Sequence, residues 1–234
     1  MTAAPPPALL VLDVNETLTD LRPLAGRFVD VGAPAHLVPR WFATVLRDGF
    51  GLAAAGASAR FADLAADALR TVLHGEDLDG DLDAAVDHVL AGLAELPLHP
   101  DVAPGLRALR DAGHRVVALT NGAAAQAEQL LARGGVVDDL EAVLSVEDAG
   151  VWKPARAAYE HAARTCGVPL VGATLVACHP WDVDGAARAG LGTVWVDRTG
   201  SPYPRSLTAP DLRVTGLDDL ARGLGRRAAG AGRP

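Results

Sequence analysis

The readable pattern opens with a short unbroken apolar run, Ala8–Leu12, which stops at Asp13 and passes at once into a polar turn through Asn15, Glu16 and Thr17. A continuous apolar run of this length reads as a strand covered on both faces, which points to a parallel sheet with helices on each side. After Asp20 the spacing becomes helical. Leu24–Val31, Leu37–Phe50, Ala59–Leu73 and Leu82–Leu93 each carry apolar residues three and four apart, and Gly49, Gly51, Gly56 and Gly75 interrupt the pattern. No strand is expected between residues 20 and 98.

Strands and helices then alternate. Val102–Ala112 reads as a helix, with Pro104 in its first turn and Gly113 at its end. Arg115–Leu119 is the next strand, Ala123–Ala132 a helix and Ala142–Leu144 a short strand. A helix from Lys153-Pro154 to about Cys166, a strand at Thr174–Ala177, a helix ending at Ala189 and a strand at Gly192–Val196 complete the series. This rhythm predicts an α/β fold, a doubly wound, Rossmann-like parallel sheet core with an inserted helical cap subdomain. The core takes residues 8–20 and 98–222, and the cap takes 21–97. Residues 1–7 and 223–234, the latter basic and glycine-rich, read as flexible ends.

Composition narrows the function classes. Apolar residues make up 50% of the 234, which supports a packed core and not a disordered chain. A formal charge of -8 and a pI near 5.3 argue against nucleic acid or an anionic membrane as partner. They leave a small anionic substrate open, because that answers to local charge. No apolar stretch reaches transmembrane length, and the N-terminal MTAAPPPA lacks the basic start and long apolar segment of a signal peptide. The two cysteines, Cys166 and Cys178, form no disulfide framework, so a cytoplasmic location is expected.

Parallel strands bring their carboxyl ends to one edge, where open α/β sheets bind ligands. Polar residues follow several strands: Asp13, Asn15 and Thr17; Thr120 and Asn121; Lys153; and His179 with Asp182. Helices need capping Asp, Asn and Thr for their own reasons, but a lysine and two aspartates exceed that need. The set offers a carboxylate nucleophile, Asp13, and a cation to hold it ionised, Lys153. Thr17, Thr120 and Asn121 could position an oxyanion, and Asp182 could orient the lysine or help activate water.

These residues resemble the motifs of the haloacid dehalogenase superfamily. The matching pieces are Asp13-Val14-Asn15-Glu16-Thr17-Leu18, Thr120-Asn121-Gly122, Lys153-Pro154 and Trp181-Asp182 within VACHPWDVDGA, and the cap is inserted as in that superfamily. Most members are phosphatases with a second aspartate two positions after the first and an acidic fourth motif that helps hold magnesium. Here Asn15 replaces that aspartate, and Ala177 and Cys178 at the strand tip are not the hard oxygen ligands magnesium takes. Displacing halide from carbon needs neither feature. Trp181 before Asp182, and Tyr159 six residues after Lys153, are similar to the L-2-haloacid dehalogenase (type II) branch.

That resemblance implies hydrolytic dehalogenation of short 2-haloalkanoic acids through an aspartyl ester, with no metal or other cofactor. Asp13 would be the nucleophile and Lys153 its counterion, with Thr17 beside them and Tyr159 and Asp182 orienting lysine and water. Asn15, Glu16, Thr120 and Asn121 would hold the substrate carboxylate. A cap arginine would attend the halide: Arg40 is the nearest candidate, with Arg22 and Arg47 as rivals. Trp41, Leu46, Phe50 and Trp181 are candidates to line an apolar pocket between cap and core. The branch usually has tyrosine at Asn15 and serine and asparagine at Ala177 and His179. His179 is therefore a candidate for water activation, against the plainer reading of a histidine packed beside Pro180 and Trp181. The implied partner is a small anionic molecule, with a homodimer open. The alternatives are a hydrolase on this scaffold acting on a phosphate ester, and a catalytically silent binding protein.

Overall fold

In the computed structural model, which describes residues 9–231 and the side chains of 9–225, β1 (Leu9–Leu12) lies inside a parallel sheet of six strands. The others are β2 (Arg115–Thr120), β3 (Ala142–Ser145), β4 (Ala173–Ala177), β5 (Gly192–Val196) and β6 (Leu212–Val214), in the order β3-β2-β1-β4-β5-β6. The chain runs outward from β1 to β2 and β3, then returns to pair β4 with the other side of β1. That reversal creates a crevice between β1 and β4 at their carboxyl ends, where Asp13 stands. All four residues of β1 are buried. Leu9 and Val11 join one hydrophobic cluster and Leu10 and Leu12 the other, as the two-residue period of a strand requires.

Four helices fill the insertion after β1: α1 (Leu24–Val29), α2 (Leu37–Ala54), α3 (Phe61–Leu73) and α4 (Leu82–Leu93). An antiparallel bridge between Thr19 and Leu98 draws together the two ends of this cap. The remaining helices, α5 (Val102–Asp111), α6 (Ala124–Arg133), α7 (Arg156–Thr165), α8 (Pro180–Ala189) and α9 (Leu217–Ala231), flank the sheet. Ala158, Ala162, Val183 and Ala186 of α7 and α8 cover the Leu9 face. Leu106, Leu109, Leu217 and Leu220 of α5 and α9 cover the other. The expected doubly wound architecture with its helical cap is therefore present. No described helix is long and apolar enough to cross a membrane.

Three local expectations change. Helix α2 continues unbroken through Gly49 and Gly51 to Ala54. Gly49 is a packing device: a Cβ there would stand 2.3 Å from the Trp152 ring. The sheet gains β6, whose three residues include a single buried one and so carry no readable period. Finally, α9 runs through residues 223–231, which the sequence assigns to a flexible end. Leu217, Leu220 and Leu224 recur at helical spacing and pack on the Leu106 side of the sheet. Residues 1–8 and 232–234, including the start of the expected first strand and the rest of both expected flexible ends, lie outside the described residues.

Candidate active site

Asp13 continues β1 past its last paired residue: its N–H donates to the carbonyl of Val176 at 3.0 Å. Its side chain thereby enters the crevice with 4% exposure. Thr17, one helical turn along the loop, donates its hydroxyl to Asp13 Oδ2 at 2.6 Å, while the Cys178 N–H donates to the same hydroxyl oxygen at 2.9 Å. On the other carboxylate oxygen, Lys153 Nζ donates to Asp13 Oδ1 at 2.8 Å. The same ammonium donates to Asp182 Oδ2 at 2.7 Å, and Tyr159 donates its phenol to Asp182 Oδ1 at 2.5 Å. Lys153, Asp182 and Tyr159 are fully buried. Four segments of the sequence thus meet in one continuous chain of hydrogen bonds.

The local sequence explains how each arrives. Pro180 starts α8 with its φ already set, so Asp182 falls in the first turn, where the helix dipole favours an anion. Lys153 belongs to the loop between β3 and α7 and is held through its backbone. Its N–H donates to Asn121 Oδ1 at 3.0 Å, and Asn121 Nδ2 donates to its carbonyl at 3.4 Å.

Electrostatics follow from this packing. Burial pushes the Asp13 carboxyl upward, but Lys153, His179 and Thr17 outweigh it and hold it below the ordinary carboxylate range. Burial likewise opposes the Lys153 charge, and the two carboxylates overcome it and raise its pKa. For Asp182, burial prevails over Lys153 and the carboxyl is raised. Burial, then Asp182, drives the Tyr159 phenol well above its usual value. The arrangement is a carboxylate kept ionised in a nearly dry site beside a permanent ammonium.

His179 stands across from the lysine, between the nucleophile loop and the cap. Its Nε2 is 3.1 Å from the carbonyl of Asn15, 3.8 Å from Asp13 Oδ2 and 3.7 Å from Glu16 Oε2. The ring stacks on Trp181 with centroids 5.2 Å apart and lies 6.0 Å from Phe42 of α2. Trp181 in turn meets Phe50 edge-on at 4.8 Å, so two aromatic contacts from α2 close the cap over this corner. Glu16 has a left-handed backbone, φ 60°, and its N–H donates to Thr19 Oγ1 at 3.3 Å. A cavity of about 540 Å³ opens alongside, lined among others by Glu16, His99, Cys178, His179, Trp195 and Arg198.

Several residues land elsewhere than expected. Asn121, expected to face a substrate oxyanion, bonds the Lys153 backbone through both its amide nitrogen and its oxygen. Thr120 accepts the Gly122 N–H at 2.9 Å and borders, with Asn15 and Phe61, a small pocket of about 40 Å³. The Glu16 amide expected for substrate is the one engaged by Thr19. Arg40 lies on the exposed side of α2, since two residues along a helix turn a side chain almost opposite to Phe42. Its rivals are paired: Arg47 is 68% exposed and bonds Asp48, and Arg22, 83% exposed, bonds Asp20 while bordering the same cavity as Glu16 and His179. Trp41 is buried within the cap, its indole donating to the Ala65 carbonyl at 2.9 Å. Phe42, its neighbour, reaches the site instead; apolar spacing alone did not distinguish the two. Arg198 was also missed. It follows β5, bonds the carbonyl of Thr17 at 2.6 Å and pairs with Asp101. The rule of polar residues after a strand, applied to Asp197-Arg198, would have found it.

Asp13, Cys178 and His179 gather potential metal-ligating atoms within 4.8 Å of one another. Thiol and imidazole do not suit magnesium, which takes oxygen ligands in octahedral array. Lys153 already occupies Asp13 Oδ1, and Asp182 is taken up by Lys153 and Tyr159. The residues present do not fit a magnesium site.

Comparison with known proteins agrees with this geometry. Residues 7–190 match the family model of haloacid dehalogenase-like hydrolases. Haloacetate dehalogenase H-2 of Moraxella sp. (strain B) is 30% identical over 161 residues, covering 69% of this chain and 71% of that protein. The (S)-2-haloacid dehalogenase of Pseudomonas sp. (strain YL) is 29% identical over 212 residues, covering 89% and 90%. Among solved structures, a dehalogenase with an intermediate complex superposes with a TM-score of 0.85 at 27% identity, covering 93% of this chain and 96% of that one.

Proposed function

The chain belongs to the haloacid dehalogenase-like hydrolases, on the L-2-haloacid dehalogenase branch, and on that premise we propose that it hydrolyses short 2-haloalkanoic acids through an ester on Asp13. The observation that carries this reading is the Lys153 ammonium bridging Asp13 and Asp182 at 2.8 and 2.7 Å. A buried amine in that place keeps the nucleophile charged without a divalent ion.

In the first step a carboxylate oxygen of Asp13 attacks the halogen-bearing carbon. A C–O bond forms as the C–halogen bond breaks, the halide takes the bonding pair, and the carbon inverts. Thr17 and Lys153 hold the carboxylate in aim, which supplies orientation. In the second step water adds to the carbonyl carbon of the ester, and its collapse releases the 2-hydroxy acid and restores Asp13 with one oxygen from water. Asp182, whose two oxygens accept from Lys153 and Tyr159, is assigned to orient the lysine and to help activate that water. Tyr159 orients Asp182, and Asn121 orients Lys153. Thr120 retains a hydroxyl proton to donate to substrate. Trp181, Phe50 and Phe42 exclude water, which strengthens each of these interactions.

Two of the relatives are a haloacetate and an (S)-2-haloacid dehalogenase by name, which supports a small α-halogenated carboxylate as the substrate. The same reading includes no nucleic acid partner. The two free cysteines fit a reducing compartment such as the cytoplasm; a sizing measurement addresses the homodimer. The test is halide release from L-2-chloropropionate in EDTA, with Asp13→Asn as control. Release that disappears in the variant supports the reading. No release across a panel of haloacids, or a strict need for magnesium, sinks it.

A further inference from the structure

The fixed charges of the site do not welcome an anion. Asp13 and Asp182 share one ammonium, so the three carry a net charge of -1 when both carboxyls are ionised, and a haloacid brings another negative charge to Asp13 itself. In a nearly dry crevice that repulsion is severe. Arg40 and Arg47 stand on the exposed side of α2, and the two arginines that border the adjoining cavity are already paired, Arg22 with Asp20 and Arg198 with Asp101. His179 is placed where a cation is needed. Its side chain is 12% exposed and its Nε2 lies 3.8 Å from Asp13 Oδ2.

We propose that the ring of His179 is the group that receives the carboxylate of the 2-haloacid, and that Glu16 holds that place in the empty site. The proposal rests on the reading of Asp13 as the nucleophile for a haloacid. Glu16 Oε2 is 3.7 Å from the ring nitrogen while its side chain is 42% exposed, so it can swing into water when a substrate carboxylate arrives. Its backbone supplies an independent sign. A non-glycine residue at φ 60° carries a backbone cost. Glycine would avoid that cost but offer the ring no counterion.

The surroundings favour a protonated ring. Asp13, Glu16 and the Asn15 carbonyl face it from the nucleophile loop, Cys178 from the end of β4, Trp181 from α8, and the apolar Phe42 from α2. Lys153 lies beyond Asp13. Burial opposes charging, but the Cys178 sulfur, Asp13 and Glu16 outweigh it and raise the ring to about 10. An imidazolium has two donors and no free lone pair. It can bind a carboxylate but cannot take a proton from water, which removes His179 as the activating base near neutral pH.

The test uses the full chain. Binding of propionate, which carries no halogen and cannot react, is followed through tryptophan fluorescence and by calorimetry in the parent, His179→Gln and Glu16→Gln proteins. Loss of one charge-assisted contact weakens propionate binding in His179→Gln by about tenfold or more, and Glu16→Gln strengthens it. In turnover, the preference for 2-chloropropionate over its neutral amide falls by a similar factor in His179→Gln. In the parent, propionate affinity declines as pH passes about 10, a reading that needs no variant to fold. Parent-like propionate binding in His179→Gln, or an unchanged acid-over-amide preference, overturns the assignment. Propionate binding that depends on His179 in a protein releasing no halide would spare this assignment and strike the nucleophile reading instead.

Discussion

Asn121 grips Lys153 by both backbone groups, its side-chain oxygen accepting the lysine N–H at 3.0 Å and its amide donating to the lysine carbonyl at 3.4 Å. Lys153 reaches Asp13 along a flexible four-carbon stem, and fixing the root of that stem fixes where the ammonium arrives. Asn121 is therefore expected to act on the reaction through Lys153. Asn121→Ala should lower kcat about tenfold with a smaller change in KM for 2-chloropropionate, and cost about 1–3 kcal/mol of stability through unpaired buried groups. A KM increase with kcat intact would return Asn121 to the substrate side.

Lys153→Met keeps much of the side-chain volume but leaves Asp13 and Asp182 buried without their shared cation. Stripping one partner from a buried ionic cluster costs about 3–5 kcal/mol, a loss that urea denaturation would register. Adding Asp13→Asn removes one of the orphaned charges, so the double variant should recover part of that stability. If the two changes are simply additive, the ammonium does not compensate Asp13 as its 2.8 Å contact indicates.

Gly49→Ala tests the joint between cap and core. The added methyl would sit 2.3 Å from the ring of Trp152, which stacks on Phe61 at 5.9 Å and donates its indole N–H to the Ala59 carbonyl. Trp152 immediately precedes Lys153, so pushing the ring away disturbs the lysine as well as α2. Overpacking of this kind costs about 1–3 kcal/mol, and kcat should fall with it. A variant with the parent's melting temperature and turnover would mean that the joint yields freely.

The doubly wound core was legible because β1 and its partners are short, unbroken apolar runs, a pattern that only strands covered on both faces require. Asp13, Lys153 and Asp182 were legible for a related reason: a parallel sheet gathers residues that follow its strands, whatever their separation in sequence. What stayed hidden depends on directions that spacing does not encode. Phe42 and Trp41 are adjacent and equally apolar, yet one faces His179 and the other Ala65. The Asn121 amide could serve a substrate or a backbone equally well by composition, and only the position of the Lys153 loop decides. The 223–231 segment read as a loose end because its glycines and arginines obscure Leu224, which continues the helix face begun by Leu217 and Leu220.

The raised His179 pKa links stability to pH with a definite sign. In the folded chain the ring keeps its proton up to about pH 10, whereas an unfolded histidine releases it near 6.5. Its contribution is therefore complete below about pH 6.5, declines through the window between the two values, and is gone above about 10. Stability falls as pH rises across that window, by no more than about 1.4 kcal/mol per pH unit for one proton. Lys153 and Tyr159 are raised from already high values and titrate above the window, and Asp13, held low, titrates below it. Cys166, whose thiol burial raises, adds a slope of the same sign near the top. The parent must accordingly be compared with His179→Gln, in which the Cys166 share persists and the His179 share does not. Urea midpoints taken at several pH values from about 6.5 to 9.5 should converge for the two proteins as pH rises, with the parent losing more. Parallel curves would mean that the ring is neutral across the window, and the charge placed on it would have to be withdrawn.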